Sequence, residues 1–120
     1  GALHLEDRVH FLRWAGQVMR SVIVDFARRR IAARRGGGAV QVTLTTGVAD
    51  ERAGSAEQIL AVHEALDDLA AVAPRLAKVV ELRYFGGLSD AEIADALGVS
   101  ERTVRRDWEK ARLMLIAALE

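Results

Sequence analysis

Apolar positions recur at helical spacing through most of this chain. From about Leu5 to Arg35, Val9, Leu12, Val18 or Met19, Val22, Ile23 and Phe26 keep a period near 3.6, with no Pro among them; this predicts one long helix. Ile59, Leu60, Val62, Leu66 and Leu69 form a second amphipathic run, opened by Ser55 with Gln58 as capping-box partner and ending near Val72. Pro74 suits the first turn of the next helix, where its missing N–H costs nothing. Leu76, Val79, Val80, Leu82 and Tyr84 carry that helix to Phe85, and Gly86-Gly87 ends it. One short stretch departs from the pattern. Val40, Val42 and Leu44 alternate with Gln41 and Thr43 like a strand, but a lone strand is not stable without a partner. It lies between Gly36-Gly37-Gly38 and Ser55, a segment predicted to be a linker.

The densest set of signals lies from Leu88 to Leu115. Ser89 is an N-cap, and Glu92 three residues later completes a capping box. Ile93 and Leu97 supply an apolar face, and Ala94 leaves room for a neighbouring helix. Gly98 ends the helix where a left-handed residue is wanted. Val99 is placed to plug the space between two helices, and Ser100 caps the second. Val104, Trp108, Ala111 and Leu115 then form one stripe. The opposite face carries Arg102, Arg105, Arg106, Glu109 and Lys110. This is the pattern of a helix-turn-helix, whose second helix enters the DNA major groove. A surface helix with solvated charges would explain the Arg and Lys residues but not the cap–Gly–cap spacing. The expected fold is therefore all-α: a long N-terminal helix (1–35), a linker (36–55), and a four-helix block (56–120) ending in a helix-turn-helix.

Composition narrows the function. Half of the residues (51%) are apolar, enough for a core, and a single Pro favours helix over sheet. There is no Cys, which excludes disulfides and thiolate metal sites and fits a reducing cytoplasm, the expected location. No apolar run approaches a membrane span, so no membrane insertion is expected. The net charge of zero conceals an asymmetry. Residues 1–38 hold eight Arg against Glu6, Asp7 and Asp25, giving +5, while residues 39–120 hold nine basic and fourteen acidic residues, giving −5. Arg28, Arg29, Arg30, Arg34 and Arg35 cluster at the end of the first helix. They complement the negative end of the helix dipole, and equally they make an electrostatic footprint for phosphates.

Nothing in the chain reads as an enzyme. His4, His10 and His63 lack metal-ligand spacing, so no metal or other cofactor is expected. Asp67 and Asp68 face different directions on a helix, and Asp90, Glu92 and Asp95 are explained by capping and the helix dipole. Gly36 to Gly38 is not followed by the Lys-Ser/Thr of a phosphate-binding loop.

Several runs resemble RNA polymerase sigma factors of the extracytoplasmic function (ECF) group of the sigma-70 family. Leu66-Asp67-Asp68-Leu69 with Pro74-Arg75 is similar to the start of sigma region 4. Val80 to Ser89, Glu92-Ile93-Ala94, Leu97 to Ser100, Thr103-Val104 and Ala111-Arg112 continue the match, and Arg106-Asp107-Trp108 is similar to one subgroup that also has a Gly-rich linker. The resemblance covers about residues 56–119 strongly. Ile23-Val24-Asp25-Phe26-Ala27-Arg28-Arg29-Arg30 more weakly resembles the end of region 2, so residues 1–35 are expected to be the last helix of a partial region 2 and the chain a piece of a longer factor.

The resemblance implies a promoter-specificity subunit whose partners are promoter DNA, the β flap and β′ of the polymerase core, and an anti-sigma factor. The −35 element would be read by Ser100, Arg102, Thr103, Arg105, Arg106, Lys110 and Arg112. Arg102 and Arg105 are placed for base edges, and Arg106, Lys110 and Arg112 for phosphates. Arg28, Arg29, Arg30, Arg34 and Arg35 would contact DNA on the −10 side. Many members carry a basic residue where Asp107 and Glu109 stand, so the reading face here is mixed; Glu109 lies on the outward face, and Asp107 sits nearer the core edge, placed to pair within the protein. The first helix, without its family partners, is expected to self-associate or to pack on the four-helix block. A response-regulator output domain is the runner-up; it predicts dimeric binding without polymerase, but the Arg-rich helix and linker do not suit it. A protein-interaction module with a vestigial helix-turn-helix is the third reading, motivated by the acidic balance of residues 39–120.

Overall fold

In a computed structural model, residues 5–35 and 46–119 are described, with side chains placed for 6–34 and 56–119. All of the elements among them are helical: α1 (Leu5–Arg35), α2 (Thr46–Val72), α3 (Pro74–Val80), a π-helical turn (Glu81–Phe85), α4 (Asp90–Leu97) and α5 (Glu101–Leu119). The all-α expectation holds. The strand-like stretch 40–44 lies outside the described residues.

α2 starts nine residues earlier than Ser55, the expected N-cap, so Ser55 and the loop-like Gly47 to Gly54 lie within the helix. Gly47 and Gly54 each cost about 1 kcal/mol against Ala in a helix. No Pro interrupts the segment, however, and Ala49, Glu51, Arg52 and Ala53 are tolerant or favourable helix residues.

α3 begins at Pro74 in its first turn, behind Ala73, whose φ of −147° turns the chain. The helix was expected to run regularly to Phe85. Instead its last turn widens, and the Gly86 amide donates to the Glu81 carbonyl at 3.1 Å, five residues back. A π turn inserts one extra residue and so re-aims the side chains beyond it. Here Leu82 and Phe85 both stay buried, while Tyr84 is turned outward and meets Phe85 edge to face at 4.9 Å.

The core is built in two clusters. One joins Val24 of α1, Val62, Leu66 and Leu69 of α2, Leu76 and Val80 of α3, Phe85, and Ala111 and Leu115 of α5. The other joins Leu12, Val79, Leu82, Ile93, Ala94, Ala96 and Val104, with Leu97 and Val99 packed against it. Trp108 touches both.

α1 packs on α2, the π turn and α4. It does so by a line of which the apolar period singled out only Leu12: Leu12, Gly16, Arg20, Val24 and Ala27, one turn apart. A Cβ at Gly16 would stand 2.5 Å from Leu82 Cδ2, so the bare glycine is what lets α1 approach this closely. Val22 and Phe26, expected on the inner face, are at least half exposed, as are Phe11 and Trp14.

Candidate nucleic-acid interface

The turn between α4 and α5 is fixed by backbone chemistry. At the start of α4, Ser89 Oγ accepts from the Glu92 amide (3.1 Å), and the Glu92 carboxylate accepts from the Ser89 amide (2.9 Å). Those two bonds close the capping box and hold the Glu92 carboxyl below its ordinary pKa. Gly98 closes the other end at φ +68°, a left-handed conformation costly to any residue with a Cβ. Its amide donates to the Ala94 carbonyl, and so does that of Val99 at 3.1 Å. Ser100 Oγ then accepts from the Thr103 amide at 3.1 Å and lies 3.0 Å from Thr103 Oγ1, starting α5 one residue later.

α5 is held from beneath. Val104, Asp107, Ala111 and Leu115 are buried along its inner line, with Trp108 half-buried beside them. Asp107 lies on the inner side, as its place near the core edge implied. Its carboxylate pairs with Arg75 of α3: Nη2 donates to Oδ1 at 3.3 Å, and Nε lies 2.7 Å from Oδ2 as an ion-pair contact without hydrogen-bond alignment. Arg83, reaching from the π turn, lays its guanidinium 4.7 Å from the centre of the Trp108 ring and also bonds Asp90. Both arginines fall in the runs that carry the family resemblance, but the sequence did not mark them as supports of α5, since their partners lie 32 and 25 residues away.

The outward face of α5 presents Arg102, Arg105, Arg106 and Lys110, all exposed. Among the described residues none of these four forms an ion pair. Ser100 is exposed and Thr103 half-buried at the head of the same helix. Glu109 is exposed too, but Arg112 Nη2 donates to it at 2.6 Å. That bond lowers the Glu109 pKa and raises that of Arg112. The mixed character expected of this face is therefore local: Glu109, tied to Arg112 three residues on.

The second basic cluster is less uniform than its sequence. Arg28 is exposed and forms no ion pair among the described residues; Arg29 pairs with Asp25 at 2.7 Å. Arg30 is half-buried, 5.8 Å from the Phe26 ring centre, and Arg34 reaches across to Glu57 of α2 at 2.9 Å. The Arg35 side chain lies outside those described. The four described arginines thus differ in exposure and in partner, and Arg29 and Arg34 hold carboxylates.

A third group of charges was not foreseen. Arg20 sits between α1, α2 and the π turn with its side chain largely buried. Its Nε donates to His63 Nδ1 (3.0 Å), and Nη2 to the His63 carbonyl (3.0 Å) and to Asp67 (2.8 Å). Nη1 donates to Glu81 at 3.2 Å, and Lys78 Nζ holds the other Glu81 oxygen at 2.6 Å. Burial and the Arg20 charge lower the His63 pKa and favour the neutral ring that can accept this bond.

Among the described residues no group of His, Cys, Asp or Glu is placed to hold a metal ion. None of the helices there is long and apolar enough to cross a membrane. What the described residues offer is a capped, buttressed helix with exposed cations on one side.

No curated protein and no solved structure matches the chain significantly. A family model does, over nearly its whole length: that of the ECF sigma factors matches residues 2–120, and the chain belongs to that family, the transcription initiation factors that work with RNA polymerase on promoter DNA.

Proposed function

We propose that this sigma factor reads the promoter −35 element with α5 lying in the major groove, while the polymerase core supplies the remaining affinity. One observation carries the reading: Arg102, Arg105, Arg106 and Lys110 are exposed on one helix, free of internal ion pairs, behind a capped turn buttressed by Asp107 and Trp108. Arg102 and Arg105, nearest the head of α5, reach base edges. A bidentate arginine–guanine contact discriminates by about 1–3 kcal/mol. Arg106, Lys110 and Arg112 take phosphates, and Ser100 with Thr103 adds hydroxyl and amide contacts near the helix N-terminus.

Arg28 is the best-placed phosphate contact on the −10 side, with Arg29, Arg30, Arg34 and Arg35 contributing as their internal bonds exchange for DNA. The apolar groove between the ends of α2 and α5, lined by Leu69, Val72, Met114 and Leu115, suits a helix of the β flap. The protein acts in the cytoplasm, on the polymerase itself.

The test is a salt-titrated anisotropy measurement with a −35 duplex and core polymerase. Arg105→Ala should lose discrimination between the preferred site and a single base change. Lys110→Ala should weaken all duplexes alike and reduce the log–log salt slope by about 0.9. If both variants leave affinity, base preference and salt slope at the wild-type values, α5 is not the reading helix.

A further inference from the structure

Glu109 stands in the middle of the outward face of α5, among cations. At about 100° per residue it lies nearly opposite the buried line of Val104, Ala111 and Leu115. It shares its own line with Arg102, two turns back and about 10 Å away along the helix. Lys110 and Arg112 stand to either side of it. When a helix lies in the major groove, its central line faces base edges and its flanks face the two phosphate strands. Glu109 therefore faces bases, a few pairs beyond those that Arg102 meets.

The fold has little use for this carboxylate. It is exposed, and among the described residues its ion pair is with Arg112, three positions on and also exposed. Such a pair adds little to stability. Towards phosphates the acid is unfavourable, since it offsets one of the cations around it. Arg112 reduces that repulsion by meeting the carboxylate side-on: Nη2 donates to Oε1 at 2.6 Å and Nε to Oε2 at 3.4 Å. The hydrogen bond from Arg112 lowers the Glu109 pKa, so at neutral pH the group only accepts. An ionised carboxylate has about four lone-pair sites, and Arg112 occupies two of them.

The four bases answer such an acceptor differently. In the major groove guanine shows N7 and O6 and thymine shows O4, all of them acceptors that repel it. Adenine offers its N6 amino group, but beside the N7 acceptor. Cytosine offers its N4 amino group with no acceptor on the same edge.

We propose that Glu109 is a specificity-determining residue of this factor, its carboxylate accepting from the N4 amino group of one cytosine in the −35 element. The inference rests on the reading of α5 as the helix in the major groove. Arg102 and Arg105 favour guanine at their own positions, so the acid adds a C·G pair of the opposite sense to the element.

The test reads base preference, because removing an acid tightens binding to every duplex by charge alone. With core polymerase present, the factor selects from a pool of duplexes randomised across the −35 element. Bound sequences are counted for the wild type, Glu109→Gln, Glu109→Ala and Arg105→Ala. The wild type should enrich C at one position by about tenfold over the other bases. Glu109→Gln, whose amide both donates and accepts, should move that position to A, the base that glutamine meets at N6 and N7. Glu109→Ala should leave it without preference and every other position as it was. Both Glu109 variants should melt with the wild type, since the side chain is exposed, so a changed preference is not a folding defect. A motif unaltered in both Glu109 variants overturns the proposal, as does a loss of preference spread evenly over all positions, since a base contact acts at one. Arg105→Ala separates the two levels of the reading. If it alone changes the motif, α5 reads the element without Glu109; if it and both Glu109 variants all select the wild-type motif, α5 is not the reading helix and the proposal falls with it.

Discussion

The Arg75–Asp107 pair allows a quantitative test of what holds the reading helix. The Asp107 carboxylate is only 6% exposed, whereas Arg75 is 55% exposed. Water can thus replace the carboxylate for Arg75 but cannot easily replace Arg75 for the carboxylate. Arg75→Ala leaves a buried acceptor short of its charged donor, which costs about 1.5–3 kcal/mol. Asp107→Ala removes the buried charge along with its bonds and leaves the arginine solvated, so its cost should be smaller, on the order of 1 kcal/mol. Because each single variant loses the same interaction, the double variant should cost less than the two added together, with a coupling of about 1–2 kcal/mol. Arg75→Lys should recover only part of the loss, since a single ammonium cannot touch both carboxylate oxygens as the guanidinium does. Urea unfolding monitored by circular dichroism gives the four stabilities. Each 1 kcal/mol corresponds to roughly 4–8 °C in Tm for a domain of this size. A coupling indistinguishable from zero would refute the claim that this pair anchors α5 to α3, and the weakened −35 binding expected of Arg75→Ala would then need another cause.

Four further outcomes are expected. Gly98→Ala, at φ +68°, should destabilise by about 1–2 kcal/mol and lower −35 affinity, read as a Tm shift and by anisotropy. Ser89→Ala should cost about 1 kcal/mol at neutral pH. The Glu92 carboxyl is held low first by the Ser89 backbone amide, which the Ala variant keeps, so its contribution is present above the unfolded carboxyl value and lost as pH falls through the lowered folded value; the wild-type and Glu92→Ala melting curves should draw together between about pH 5 and 3. His63 has a lowered pKa in the folded state, set by burial, Arg20 and Arg28 against the opposing charges of Asp67 and Glu64, so the unfolded chain binds its proton first. The docked form should lose stability as pH falls through about 6.5, and His63→Gln should remove that step from a melting-temperature profile taken between pH 7.5 and 5.

The turn from α4 to α5 was legible because every signal in it is local. The Ser89–Glu92 box, the left-handed Gly98 and the Ser100 cap each depend on residues no more than four apart, and side-chain spacing alone placed Val104, Ala111 and Leu115 inside. α1 was legible as a helix but not in its orientation. Its most apolar line faces outward, and the line that docks is chosen by Gly16 fitting against Leu82 and by Arg20 finding three partners on two other elements. Neither fact is visible without the partner surface. The start of α2 was misplaced because Gly47 and Gly54 weigh against helix in any local reading. The π turn was missed since an extra residue in one turn leaves the apolar pattern from Leu82 to Phe85 almost unchanged. The basic cluster at Arg28 to Arg35 was read as one patch, whereas Asp25 and Glu57 claim two of its members.

Trp108 belongs to both halves of the core, and α5 runs across the two with Val104 in one and Ala111 and Leu115 in the other. Melting either half would therefore pull apart the helix that carries the free cations. Binding competence and cooperative unfolding ought to track a single curve, so a substitution deep in the block, far from any phosphate, would silence the promoter at the temperature where the block melts. The same indole, under the Arg83 guanidinium, gives the molecule a native fluorophore positioned to report that event.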